Sequence, residues 1–181
     1  MDLTDAELGV QVEAALGVLV GLPLEDAGRA GSLQWFSFGE VRIVEDRRGG
    51  TREAGEYALH VQCEWRITGP EGLIVGMNDR YFPAGDAYDE PPDFNWDVQG
   101  ENRLDERLSS FMEQRRSRPL IVEQVWADHV GSIRLLFGGG YSLDVFPFET
   151  TKYEYWRLFK PGLPDAGEVP HFVVTGEGLK D

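Results

Sequence analysis

From Pro119 onward the chain reads as five consecutive strand-like runs, each of five to eight residues rich in β-branched, aromatic and leucine side chains and each followed by a turn signal. The runs are "LIVEQVWA", "SIRLLF", "YSLDVF", "YEYWRLF" and "HFVVT". They are too short for ordinary helices, and their side chains suit a pleated, half-buried surface. "FGGGY" (137–141) joins the second run to the third. A phosphate loop would open a helix and carry a Lys-Ser or Lys-Thr pair, so these glycines read as a hairpin turn that needs positive φ. Consecutive strands joined by hairpin-length turns demand an antiparallel sheet.

The earlier part of the chain adds two helices and more strands. Residues 4–21 predict a helix: Thr4 and Glu7 have capping-box spacing, Leu8, Val12, Ala15, Leu16 and Leu19 recur at helical intervals, and Gly21 and Pro23 stop it. Its second half, "ALGVLVGL", has no polar face and is expected to be covered on most sides. "SLQWFSF" and "EVRIVE" read as strands joined through Gly39, and "RRGGTREAGE" as a mobile loop. "YALHVQCEWRI" and "LIVGMNDRYF" flank a Gly-Pro turn as a hairpin. A second helix over 103–116 follows, with Asn102 able to cap it, Leu104, Leu108, Phe111 and Met112 as its apolar stripe, and Arg115 and Arg116 at its carbonyl end. With no internal repeat and no linker, residues 1–181 form one α+β domain: a curved, mainly antiparallel sheet with two helices.

In "EYALHVQCEWRI" (56–67) strand alternation decides what the side chains can do. Leu59, Val61, Cys63, Trp65 and Ile67 share one face; His60, Gln62, Glu64 and Arg66 share the other. His60 and Cys63 therefore cannot chelate one ion, and Cys63 reads as core. The polar row is a solvated face or, alternatively, the lining of a small-molecule or enzyme site on the sheet's concave side. In "TKYEYWRLF" the same rule places Tyr153, Tyr155 and Phe159 on one face and Trp156 and Leu158 on the other.

The formal net charge of −15 narrows the partners. Such a field repels nucleic-acid phosphates and anionic lipid and attracts basic proteins. The N-terminus is acidic where a secretory signal is basic, and the apolar stretch from Ala14 to Leu24 is broken by Gly and Pro, so neither export nor a membrane span is expected. A lone cysteine implies a reduced, cytoplasmic setting. Neither a G-x-S-x-G elbow nor an H-E-x-x-H motif is present, and His129 and His171 lie in a turn and at a strand start. No catalytic residue, cofactor or metal is assigned. Asp93, Asn95 and Asp97 match the first half of a calcium loop, but Val98 and Leu104 stand where it needs Gly and Glu.

Residues 83–101, "PAGDAYDEPPDFNWDVQGE", form a long irregular loop, a kind of segment that tends to be functional or disordered. It concentrates Asp86, Asp89, Glu90, Asp93 and Asp97 around Tyr88, Phe94 and Trp96. Aromatic anchors flanked by acids suit a basic protein surface, which makes these eight residues the candidate partner-binding set.

Residues 120–175, with "GSIRLLFGGGYSLDVFP", "EYWRLF" and "HFVV", resemble small uncharacterised bacterial proteins, some of them similar to immunity proteins of polymorphic toxin systems. The resemblance implies an α+β fold and a role in blocking a cognate toxin, and transfers no catalytic residue. The function expected is that of a non-enzymatic binding protein engaging a basic partner through its acidic surface.

Overall fold

The computed structural model describes residues 3–45, 49–86, 91–162 and 171–180. Helix α1 (Leu3–Leu16) continues as a single tight turn to Leu19 and leads into β1 (Pro23–Ala30) and β2 (Leu33–Phe38). A ribbon of β3 (Arg42–Glu45) and β4 (Thr51–Ala54) stands apart. Then come β5 (Tyr57–Val61), β6 (Glu64–Gly69), β7 (Gly72–Gly76), a 3₁₀ segment (Met77–Tyr81) and α2 (Arg103–Arg115). The chain ends with β8 (Leu120–Ala127), β9 (Ile133–Phe137), β10 (Tyr141–Phe146), β11 (Glu154–Phe159), β12 (Phe172–Thr175) and β13 (Gly178–Lys180).

Eleven strands join in the order β13-β12-β11-β5-β2-β1-β8-β9-β10-β6-β7, every pairing antiparallel. The two halves meet through a narrow seam, in which β1 and β8 share only the pairs Pro23–Ile121 and Leu24–Leu120. β5 and β6 are separated by Gln62 and Cys63 alone, yet lie in opposite halves. Both linking N–H groups donate to the Tyr155 carbonyl of β11, at 2.8 and 3.2 Å, which turns the chain from one half into the other. The sheet therefore curls over its own core without closing. Phe36 of β2 and Trp65 of β6 meet edge to face at 5.2 Å. The fully buried Trp156 of β11 donates its indole N–H to the Gly131 carbonyl beside β9, at 2.8 Å.

The helices fill what the sheet leaves open. α1 lies on β8, where Gly9 permits close approach: a Cβ there would sit 3.3 Å from the Ala127 carbonyl oxygen. Val12, Leu16 and Leu19 are buried, while Val10, Val18 and Val20 remain exposed, since β8 covers one stripe only. α2 spans from β1 to β7, burying Leu104, Leu108 and Phe111.

Several expectations change. The first α-helix ends at Leu16 rather than 21, and its last apolar turn is half open to solvent. β3 pairs with β4, not β2, so part of the expected mobile loop is strand. The run 73–82 is strand only to Gly76 and then a 3₁₀ segment. A register shift between Glu154 and Trp156 turns Tyr155 inward, where its hydroxyl holds the Glu149 and Thr151 carbonyls. β1 and β13, too polar or too short to read, are additional strands. None of the described helices is long and apolar enough to cross a membrane.

Candidate functional site

The acidic loop is held at its base by its own backbone. Pro83 bridges Asn102, Ala84 N–H donates to the Glu101 carbonyl at 2.9 Å, and Arg103 N–H donates to the Phe82 carbonyl at 2.8 Å. Asn102 then caps α2, accepting from the Asp105 N–H at 2.8 Å. These contacts hold the two ends of the loop side by side.

Beneath it lies a buried charge pair. Arg29 of β1 meets Asp105 of α2 through two parallel hydrogen bonds of 2.7 and 2.8 Å, both side chains almost wholly buried. The remaining guanidinium N–H groups reach the carbonyls of Gly31, Trp96 and Val98, while Asn102 Nδ2 donates to the Trp96 carbonyl at 2.8 Å and Gly100 N–H to Asp105 at 2.8 Å. Burial pushes the Asp105 carboxyl upward, but the hydrogen bonds from Arg29 and Gly100 prevail and hold it below the usual range. One guanidinium–carboxylate pair thus fixes the path of residues 96–100, as fully bonded charge-assisted pairs do.

The candidate partner-binding residues divide on this frame. Asp86 and Asp93 are exposed, and Asp97 is exposed with one oxygen 3.5 Å from Arg29. Trp96 folds back: it is half-buried, 5.8 Å from the Tyr81 ring and 5.5 Å from the Arg80 guanidinium. Phe94 is also half-buried. Tyr88, Asp89 and Glu90 lie outside the described residues. Here the protein presents carboxylates on a pinned scaffold, with its tryptophan serving as an internal brace. Asn95 Oδ1 accepts the Asp97 N–H at 3.1 Å, and among the described residues no three His, Cys, Asp or Glu gather as metal ligands.

The Asn102 cap is legible in the sequence, whereas the roles of Arg29 and Arg80 are not. Asp105, two positions beyond Arg103, carried the one available signal, an N-x-x-D spacing at a helix start.

The polar row faces outward, away from the core that holds Leu59, Val61, Cys63, Trp65 and Ile67. The bend at Gln62 and Cys63 splits the row between the two halves of the sheet. His60 sits in register between Trp35 and Arg157, edge-on to Phe159 at 4.7 Å. Phe159 stacks on His171 at 4.4 Å, and Arg157 binds Glu154 with two hydrogen bonds. Burial, then the Arg157 charge, lowers His60 to about 4. Gln62 is exposed in the bend and Glu64 lies opposite Phe146. Arg66 belongs to a second group, in which it and Arg134 both donate to the buried Asp144 carboxylate from neighbouring strands. None of the four lines the cavity of about 620 Å³ beside Trp126 or that of about 750 Å³ beside α2. Cys63 is 8% exposed, and burial pushes its thiol up to about 12, far from a reactive thiolate.

No family model, curated protein or solved structure matches this chain.

Proposed function

We propose that this protein is a non-enzymatic binding protein whose acidic surface engages a basic protein partner. The observation that carries the reading is the pinned loop. Arg29 and Asp105 anchor residues 96–100 from below, so Asp97 projects from a framework that needs little ordering on contact, and Asp86 and Asp93 are exposed on the same loop. Preorganised carboxylates on a molecule of net charge −15 favour fast, salt-dependent association with Lys- and Arg-rich surfaces. A toxin domain, as in immunity-type antagonism, is one basic partner of this kind. The segment that resembles such proteins supplies β8 to β12 of the sheet and none of the loop, so the reading stands on charge and loop geometry.

Capture from native lysate at 50 and 500 mM NaCl tests it, with the wild type compared to an Asp86→Asn/Asp93→Asn/Glu101→Gln variant. These carboxylates make no ion pair among the described residues, so the variant should keep its melting temperature. A basic protein retained by the wild type at low salt and lost by the variant supports the reading. Equal retention by both, or the absence of any basic protein, overturns it.

A further inference from the structure

A cavity of about 750 Å³ opens between α2, along Glu106 to Arg115, and the β6–β7 turn, within the size range of small-molecule sites. One wall is apolar: Leu73, which is 63% exposed, Ile74 and the ring of Phe111. The other carries Arg107 and Arg115, one helical turn apart from each other twice over, on the same side of α2. Tyr141 of β10 closes the floor, and Gly69 is what lets it do so: a Cβ at 69 would meet Tyr141 Cε1 at 2.8 Å.

Arg115 is clamped in place without a counter-charge. Its guanidinium lies 4.5 Å from the Tyr141 ring centre and 5.6 Å from that of Phe111, and one terminal N–H donates to the Tyr141 hydroxyl at 2.7 Å. Its Nε is buried with no acceptor. A guanidinium carries five N–H donors, and a buried one left unmet is costly. Arg107, half-buried in the same wall, makes no ion pair or hydrogen bond among the described residues. Two unpaired arginines in one cavity stand out in a chain with 32 acids to 17 bases, where carboxylates are in surplus. The acids that line the cavity do not pair with them: Glu106 is turned to the Gly85 N–H at 2.7 Å, and Glu71 sits exposed in the hairpin turn.

We infer that this cavity binds a small organic carboxylate with an apolar body. The carboxylate lies between Arg107 and Arg115, and the body rests on Leu73 and Ile74. The pair of glutamates at the rim disfavours a dianion such as phosphate, and the apolar wall favours a ligand with hydrocarbon to bury. The site uses none of the exposed carboxylates Asp86, Asp93 and Asp97 and stands independently of the protein-binding role.

The test is titration with acetate, benzoate, 3-phenylpropionate and octanoate, the amides of the last three, and inorganic phosphate. Binding is read from the ¹⁵N Nε–Hε resonances of the arginines. At least one apolar carboxylate should shift the Arg115 resonance saturably below 10 mM, at least tenfold more tightly than its amide and than acetate. Arg107→Gln, which leaves no protein contact unmet, should weaken that binding at least fivefold without altering the fold, and Arg115→Gln should do so more strongly. No saturable shift with any acid, equal binding of acid and amide, or indifference to Arg107→Gln would overturn the site. Phosphate binding as tightly as the best carboxylate would overturn the apolar-body assignment.

Discussion

Arg29 is where strand, loop and helix meet, and its removal should show in all three. Breaking a buried ion pair leaves the surviving charge without a partner in a low dielectric, which costs about 3–5 kcal/mol. Arg29→Met should therefore lower the unfolding free energy from urea titration by that much and free the Trp96 and Val98 carbonyls that the guanidinium holds. Replacing both partners, Arg29→Met with Asp105→Leu, should recover part of the stability while leaving the loop unpinned, seen as faster amide exchange over residues 96–100. Equal stability of single and double variants would show that the pair contributes nothing as a pair. His60 makes a second prediction at this scale. Its folded value of about 4 lies below the ordinary 6.5, so between these values the unfolded chain binds a proton that the native chain does not. Stability from this group is fully present above about pH 6.5 and is lost as pH falls towards about 4. Arg157 and His171 oppose protonation there and Glu154 favours it, with burial the largest influence. His60→Phe should flatten the slope of unfolding free energy across that window; an unchanged slope would assign the acid sensitivity elsewhere.

Among the elements, the β9–β10 hairpin makes the sharpest demand on sequence. Gly139 and Gly140 have φ of 77° and 81°, the paired left-handed conformation of a tight hairpin turn that matches sheet twist. Alanine at either should cost about 1–2 kcal/mol. Gly17, by contrast, lies in a helical turn with open space where its Cβ would be, so Gly17→Ala should stabilise by about 0.4–1 kcal/mol. Thermal melts of the three variants check this ordering. The hairpin was legible in "FGGGY" because a turn is local: its glycines, its flanking strands and its register all lie between Ile133 and Phe146. The faces of residues 59–67 were legible for the same reason, since period two needs no distant partner. The bend at Gln62 and Cys63 was not, because alternation runs through it unbroken and the carbonyl that turns the chain comes from Tyr155 on β11. Arg29 was equally hidden: "PLEDAGRA" has no apolar pattern, and its partners arrive from Trp96 to Asp105. The acidic loop could be found by composition, but whether Trp96 points outward depends on Arg80 and Tyr81, which the strand pattern misread as part of β7. The cavity beside α2 combines a helix face with a hairpin turn and Tyr141 of β10, and no stretch of sequence contains more than one of them.

At the scale of the whole molecule two facts act together: a net charge of −15 and a sheet whose halves share a two-pair seam. The seam does not divide the protein into independent parts, because Phe36 against Trp65 and Trp156 against Gly131 bring both halves into one core. The molecule should therefore melt in a single transition, with intrinsic Trp fluorescence and far-ultraviolet circular dichroism giving the same midpoint. Charge should set where that midpoint lies. Fifteen unbalanced negative charges repel one another in the compact state more than in the expanded chain, and the repulsion is long-ranged. The screening length falls from about 30 Å at 0.01 M salt to about 10 Å at 0.1 M, from the width of a small domain to the spacing of near neighbours. At pH 8, raising NaCl from 0.01 to 0.1 M should raise the melting temperature, and further salt to 0.3 M should add much less. Sodium sulfate beyond that point should continue to stabilise, since exclusion from the surface does not saturate as screening does. The internal ion pairs oppose the trend only weakly, because Arg29–Asp105 is buried and little screened. A melting temperature that falls between 0.01 and 0.1 M NaCl would mean that local attractions outweigh the net repulsion, and that the acids are paired across the surface instead of standing free to meet a basic partner.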